Sequence, residues 1–209
     1  MKVAVLGTGV VGRTIAGKLA ELGHDVRVGS RTAGDDKAVF ADAAAHGEVV
    51  FNCTSGAGAL DALAAAGHGN LAGKVVIDTS NPLDFSGGFP AMFTDSKDSI
   101  GERIQTAFPS ARVVKALNTM TASVMVAPTL VEGDHVAFVC GDDAGAKDQA
   151  RALLGEFGWP SDRVIDLGDI TGARGAEQYV LFWVRLMNAT GTATFNIAVN
   201  RSASASNTQ

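Results

Sequence analysis

Six residues near the start of the chain, Gly7-Thr8-Gly9-Val10-Val11-Gly12, place glycine at the first, third and sixth positions. That spacing suits the gripping of a diphosphate by backbone groups. Gly7 lets the chain turn tightly out of a strand, Gly9 lacks the Cβ that would hold a pyrophosphate away, and Gly12 permits close packing of helix on sheet. The free N–H groups of the helix's first turn, Val10 and Val11 among them, then face the anion, and the helix dipole adds to the attraction. Taken alone the pattern is weak, but its setting raises it. It directly follows the apolar run Val3 to Leu6, and it opens a stretch in which Val11, Ile15, Leu19 and Leu22 line one helix face that ends near Gly23. The expected chemistry is dinucleotide binding, with a ligand-free structural turn as the alternative.

Which dinucleotide is bound depends on the end of the second strand, where an acid would accept from a ribose 2′-hydroxyl. Here Asp25-Val26-Arg27-Val28 runs into Gly29-Ser30-Arg31-Thr32, with no acid after the strand. Ser30 offers a hydroxyl and Arg31 a two-pronged guanidinium, a combination suited to a 2′-phosphate and hence to NADP. A charge-assisted hydrogen bond contributes about 1.5 to 3 kcal/mol, so one such contact favours NADP over NAD by roughly ten- to a hundredfold. The alternative is an ordinary exposed arginine on a strand-end loop, with Asp35 and Asp36 weakening the local positive field.

Cys53-Thr54-Ser55-Gly56, Thr79-Ser80-Asn81-Pro82 and Leu117-Asn118-Thr119 end later apolar runs. In a doubly wound sheet that edge is where ligands sit, so these segments are expected around the nicotinamide end. They are polar but nearly uncharged and supply no evident general acid or base, so no catalytic residue is assigned. His24, His46, His68 and His135 lie apart at turns and element ends, each read as structural or exposed. Neither a nucleophile elbow nor a metal-ligand spacing is present, which disfavours covalent hydrolysis and metal chemistry.

The elements that must position these residues follow from hydrophobic periodicity. Short apolar runs at Val3 to Leu6, Asp25 to Val28, Glu48 to Cys53, Lys74 to Ile77, Arg112 to Leu117, His135 to Cys140 and Val164 to Leu167 alternate with helix-like stretches. That alternation predicts an α/β fold with a doubly wound, mainly parallel sheet. A second amphipathic helix is expected from Asp143 to Phe157. Pro82 to Asp98 fits neither period and predicts a long loop, either pinned by its own aromatics or serving as a mobile cover. Glu177 to Asn188 predicts a helix that is apolar on every side around Tyr179 to Val184, which a lone domain seldom covers. Pairing with a second copy of the chain is the expectation, and a helix sunk in the monomer core the alternative. Thr194 to Val199 is a candidate strand. The resulting organisation is a nucleotide-binding domain over 1–172, a small helix-and-strand extension over 173–201 that dimerises, and a flexible polar tail over 202–209.

Seventeen basic against twenty-two acidic residues give a net charge of −5, and 46% of the residues are hydrophobic. With no Lys/Arg cluster, nucleic acid and anionic membrane are disfavoured as partners and a small molecule is favoured. Cys53 and Cys140 are expected to be reduced structural thiols. No signal peptide fits the start, and no apolar stretch is long enough to span a bilayer, so a cytoplasmic location is expected.

Taken together, Gly7-Thr8-Gly9 to Gly12, Gly23-His24-Asp25-Val26, Gly29-Ser30-Arg31, Asn81-Pro82-Leu83-Asp84 and Phe182-Trp183-Val184-Arg185-Leu186 resemble the NADPH-dependent reductases of coenzyme F420. The likeness covers about residues 1 to 199. The chain also resembles the cytosolic reductase domain of the six-transmembrane metalloreductases, which moves hydride from NADPH to a flavin. The resemblance implies a Rossmann fold and hydride exchange between NADP(H) and a flavin-like ring such as F420, in which the protein sets distance and face. It further implies that Thr8, Ser30 and Arg31 hold the 2′-phosphate, that Cys53, Thr54 and Ser55 line the cofactor's middle, and that Asn81 and Asn118 border the ring-stacking site. Against the family pattern, Asp35 and Asp36 precede Lys37, and Ser55-Gly56-Ala57-Gly58 replaces bulkier groups. Two other readings stay open: a reductase of flavin or of a small carbonyl or imine, and a dinucleotide-binding sensor that catalyses nothing.

Overall fold

Val3, Ala4, Val5 and Leu6 expose no side-chain surface, and they form an interior strand of the computed structural model, which describes residues 1–202. In chain order the elements are β1 (Lys2–Leu6), α1 (Val10–Glu21), β2 (Asp25–Ser30), β3 (Ala38–Val39), α2 (Phe40–His46), β4 (Val49–Asn52), α3 (Ala59–Ala66), α4 (His68–Leu71) and β5 (Val75–Asp78). They continue with β6 (Leu83–Asp84), β7 (Ala91–Met92), α5 (Ile100–Ala107), β8 (Arg112–Ala116), α6 (Ala122–Val126), β9 (Ala137–Cys140), α7 (Ala144–Glu156), β10 (Val164–Asp166) and α8 (Ala173–Thr190).

The main sheet runs in the order β10-β9-β8-β5-β4-β1-β2-β3. All its neighbours are parallel except β8 and β9, which pair antiparallel. The chain leaves β1 toward β2 and β3, then crosses back to build β4, β5 and β8 on the other side. The direction of winding therefore reverses between β1 and β4, which is where such sheets open a crevice at their carboxyl edge.

Cover by helices on both faces explains why the inner strands are apolar along most of their length, with Asn52, Asp78 and Lys115 at or near their carboxyl ends. Val3, Val5, Phe51 and Ile77 pack with Ile15, Leu19, Leu153 and Phe157 of α1, α7 and its end, while Ala4, Leu6, Val50 and Val76 pack with Phe40, Ala43, Leu63 and Ile104 from α2, α3 and α5. Each of the larger of these side chains, from Val to Phe, contributes about 1.5 to 3 kcal/mol by leaving water. The two faces together fix the edge on which the loops converge.

The chain departs from expectation in three places. First, α8 is longer at both ends than Glu177 to Asn188 and starts inside the core, with Ala173, Ala176, Val180 and Val184 buried. Second, the strand expected at Thr194 to Val199 does not form. The segment makes one backbone bond, from the Val136 N–H to the Ile197 carbonyl (3.0 Å), and places Phe195 flat against Trp183 at 5.4 Å. Third, the loop from Pro82 to Asp98 contains the short antiparallel pair β6 and β7. Its aromatics do not pack on one another. Phe89 lies under the Arg185 guanidinium of α8 at 3.8 Å, Phe93 faces Arg103 at 5.8 Å, and Phe85 is 69% exposed. The tail expected over 202–209 lies, beyond Ser202, outside the described residues.

Candidate functional site

A cleft of about 570 Å³ opens at the carboxyl edge of β1, β2 and β4. Its walls are Gly7, Thr8 and Gly9 from the first turn, Ser30 and Arg31 from the end of β2, Cys53, Thr54 and Ser55 after β4, and Phe40, Gly58, Asp61, Ala62 and Ala65. Eight of the residues expected from the sequence thus meet in one concavity.

The glycines of the turn differ in what requires them. Gly7 sits at φ +117°, a conformation L side chains rarely adopt, and a Cβ there would lie 2.6 Å from the Cys53 carbonyl oxygen. A Cβ on Gly12 would overlap the Gly7 carbonyl. Packing of the chain on itself therefore demands both. A Cβ on Gly9 would meet nothing within 4 Å, so packing does not require glycine there and the position stands open to an approach from outside the fold. Gly9 is also the N-cap of α1, which has neither a side-chain cap nor an acid in its first turn. The N–H groups of Val10, Val11 and Gly12 consequently lack intrahelical acceptors. Arg13 donates to the Thr8 carbonyl and adds a cation beside the turn. Free donors, a positive helix end and an unblocked glycine fit a diphosphate.

At the end of β2, Ser30 is buried and its hydroxyl is used locally. It donates to the Thr32 carbonyl and accepts from the Thr32 N–H at 3.3 Å, which shapes the turn that carries Arg31. Arg31 is exposed at the cleft and, among the described residues, pairs with no carboxylate, Asp35 and Asp36 included. A free guanidinium in this place fits a 2′-phosphate. Deeper in, Thr54 donates to the Asn52 side chain at 2.7 Å and Ser55 accepts from the Gly58 N–H at 3.3 Å. The Cys53 thiol is buried, and that burial, only partly offset by a hydrogen bond with Thr79, pushes its pKa up to about 12.

Asn81, Pro82 and Asn118 do not line this cleft. They form an adjoining group, with the Asn118 amide donating to the Asn81 side chain (2.9 Å) and the Ala176 carbonyl (3.0 Å), and the Asn81 amide donating to the Asn118 carbonyl (2.8 Å). Leu117, at φ +64°, turns the chain so that Asn118 reaches both partners. The group abuts the cleft through Gly56, whose missing Cβ leaves room for the Asn81 carbonyl. The four histidines lie elsewhere, His24 on Glu156, His46 on the Asp25 carbonyl, His68 against Phe108 and His135 between Trp159 and Asn196.

Beneath the Asn81–Asn118 pair lies a charge cluster that the sequence reading missed. Lys115 Nζ contacts Asp78 Oδ2 at 2.6 Å, Glu177 Oε1 at 2.7 Å and the Ser80 carbonyl at 2.5 Å, and all three charged side chains are 0–1% exposed. Glu177 also accepts from the Ile100 N–H (2.8 Å) and the Gly101 N–H (3.1 Å), capping α5 from α8. Asp78 accepts further from Asn52 (2.7 Å) and Ser80 (2.8 Å). Burial works against the Lys115 charge, but the two carboxylates outweigh it and raise its pKa. With one cation between two acids, burial pushes the Glu177 carboxyl up against the pull of Lys115. The available signal was a lone charge inside the run Val113-Val114-Lys115-Ala116, because a lysine in a strand covered on both faces needs a partner. Asp61 and Phe40 were missed as well.

Among the described residues no helix is long and apolar enough to cross a membrane. The family model described as NADP oxidoreductase, coenzyme F420-dependent, matches residues 2–82. A solved protein of Arthrobacter sp. FB24, named provisionally as an F420-dependent NADP reductase, is 50% identical with a TM-score of 0.91, over 96% of this chain and 100% of that one. The metalloreductase STEAP3 of Rattus norvegicus is 28% identical over 187 residues, 84% of this chain, which spans only 36% of that protein. A reductive aminase of Aspergillus terreus, solved with NADPH and ethyl levulinate, shares the fold at 20% identity and a TM-score of 0.66, over 90% of this chain and 62% of its own.

Proposed function

This chain belongs to the coenzyme F420-dependent NADP oxidoreductase family and is an NADP-dependent oxidoreductase, and from that premise we propose that it exchanges hydride between NADP(H) seated in the Gly7–Gly12 cleft and a flavin-like ring such as coenzyme F420. The observation that carries the reading is the unpaired Arg31 beside a first helical turn whose N–H groups have no acceptors. In this reading the α1 amides and Arg13 hold the diphosphate, Arg31 holds the 2′-phosphate, and Ser30 sets the turn that aims it. Thr8, Cys53, Thr54 and Ser55 flank the middle of the dinucleotide. Bound NADPH supplies the hydride. The Asn81–Asn118 pair and Pro82 border the place where two rings meet, holding them by neutral hydrogen bonds and leaving proton transfer to the acceptor.

The outer side of α8 supports pairing of two copies. Phe182 is 59% exposed there, although Phe195 and the Phe89 loop cover more of the helix than its all-round apolarity led one to expect. The function is tested by titrating NADPH and NADH into the protein and its Arg31→Ala variant, then following NADPH absorbance with F420, free flavins and small imines. Binding of NADPH that weakens about ten- to a hundredfold in the variant, with NADH little changed, is the expected result. Turnover with imines but not with F420 or flavin would transfer the assignment to another acceptor class, and tight binding without turnover would make the protein a sensor.

A further inference from the structure

Among the residues lining the cleft, Asp61 is the one acid. It is exposed and makes no hydrogen bond or ion pair with the described chain. A free carboxylate in a cleft built for phosphates opposes its ligand unless it receives a proton donor from it. With the diphosphate at the glycine turn and the 2′-phosphate at Arg31, the donors left for the α3 wall are ribose hydroxyls and the base, and of these the base is the flat, largely apolar one. That wall suits a flat ring. Ala62 and Phe40 are 5% and 7% exposed and give an apolar surface, Ala65 lies one helical turn beyond Asp61, and none of the small side chains here fills the slot.

We propose that Asp61 determines specificity for the base by accepting a hydrogen bond from the exocyclic amine of adenine, with the ring lying against Ala62, Ala65 and Phe40. This rests on the reading that the cleft seats NADP. An ionised carboxylate only accepts hydrogen bonds. At the exocyclic position adenine presents an N6 donor, whereas hypoxanthine presents a carbonyl oxygen that a carboxylate repels, its N1–H donor lying one ring atom away. The competing account gives Asp61 no ligand and leaves it in the first turn of α3, where an acid favours the helix dipole.

The test measures binding of NADPH and of its deaminated analogue, reduced nicotinamide hypoxanthine dinucleotide phosphate, to the wild type, Asp61→Ala and Asp61→Asn. The wild type is expected to favour NADPH by about tenfold, and Asp61→Ala to bring the two affinities within about twofold, chiefly through weaker NADPH binding. Asp61→Asn keeps the shape of the side chain and can donate to the analogue's carbonyl, so it should bind the analogue more tightly than the wild type does. Equal affinities in the wild type, or a preference that persists in Asp61→Ala, overturn the proposal. If NADPH binds with an Arg31-dependent preference over NADH but without preference for the amine, only this inference fails. If the wild type binds no nicotinamide nucleotide, the function fails with it.

Discussion

Replacing Lys115 by Met isolates the buried charge cluster beneath the ring edge of the site. Lys115 Nζ stands 2.6 Å from Asp78, 2.7 Å from Glu177 and 2.5 Å from the Ser80 carbonyl, all out of contact with water. Methionine is nearly as long and flexible, so it fills most of the same channel, and the loss is mainly electrostatic. Two carboxylates are then left without a cation in a poorly polarisable surrounding, a change that costs about 3 to 5 kcal/mol. Against a total stability of about 5 to 15 kcal/mol for a domain, that is a large fraction. Urea unfolding followed by far-ultraviolet circular dichroism measures it. The half-buried Arg174–Glu102 pair is the comparison, since both of its side chains still reach water and Arg174→Met should cost clearly less than Lys115→Met. The pH dependence has a definite sign. Burial already raises the Glu177 carboxyl above its ordinary 4.5, and removal of the ammonium lets it rise further. The folded variant then holds a proton that the unfolded chain has released, so its stability falls as pH rises through that window. The deficit should therefore be larger at about pH 8 and shrink toward about pH 5. A loss below about 1 kcal/mol, or a deficit that grows on acidification, refutes the account of the cluster as one cation serving two buried acids.

The glycine turn predicts opposite outcomes at two of its positions. Gly12→Ala drives a methyl group into the Gly7 carbonyl and should lower stability by about 3 kcal/mol or more, while Gly9→Ala, with nothing within 4 Å, should leave the denaturation midpoint nearly unchanged and weaken NADPH by at least about tenfold. Cys53 and Cys140, each pushed up to about 12 chiefly by burial, should resist iodoacetamide at about pH 8 in the native protein and react at once in urea; rapid native labelling would contradict their burial. Phe182→Glu should convert a dimer to a monomer in light scattering without changing NADPH affinity, and a wild type of monomer mass would remove the pairing proposed for α8.

The gathering of the turn glycines, Ser30 and Arg31 in one cleft was legible because it rests on local rules. The turn glycines, the amphipathic face of α1 and the Ser30-Arg31 pair after β2 all act within about thirty residues of one βαβ unit, where spacing in sequence translates directly into position. The seven strands expected from apolar runs appear for the same reason, since Val3 to Leu6 and Val49 to Phe51 could be buried only with helices on both faces. The ring end obeyed other rules. Asn81 finds Asn118 across thirty-seven residues, and Lys115 finds Glu177 across sixty-two, and no periodicity announces pairs that form only when the sheet brings two carboxyl ends together. The strand expected at Thr194 to Val199 failed because Phe195 and Asn196 are spent on Trp183 and His135, side-chain attachments that compete with a ladder.

These two kinds of attachment assign different duties to the two halves of the chain. The glycine-turn end is built from backbone groups of one continuous unit, so single side-chain changes there, those at the packing glycines Gly7 and Gly12 excepted, should shift affinity and leave the frame intact. The acceptor end is held by α8, whose Glu177 caps α5 and grips Lys115 while the adjacent Ala176 carbonyl fixes Asn118. One helix thus ties Asn118 to the buried charges and, through Arg185 more than two turns further along, to the aromatic loop. A change in α8 must therefore alter the acceptor side through several contacts at once, while the diphosphate cradle of α1, which shares none of them, keeps its geometry.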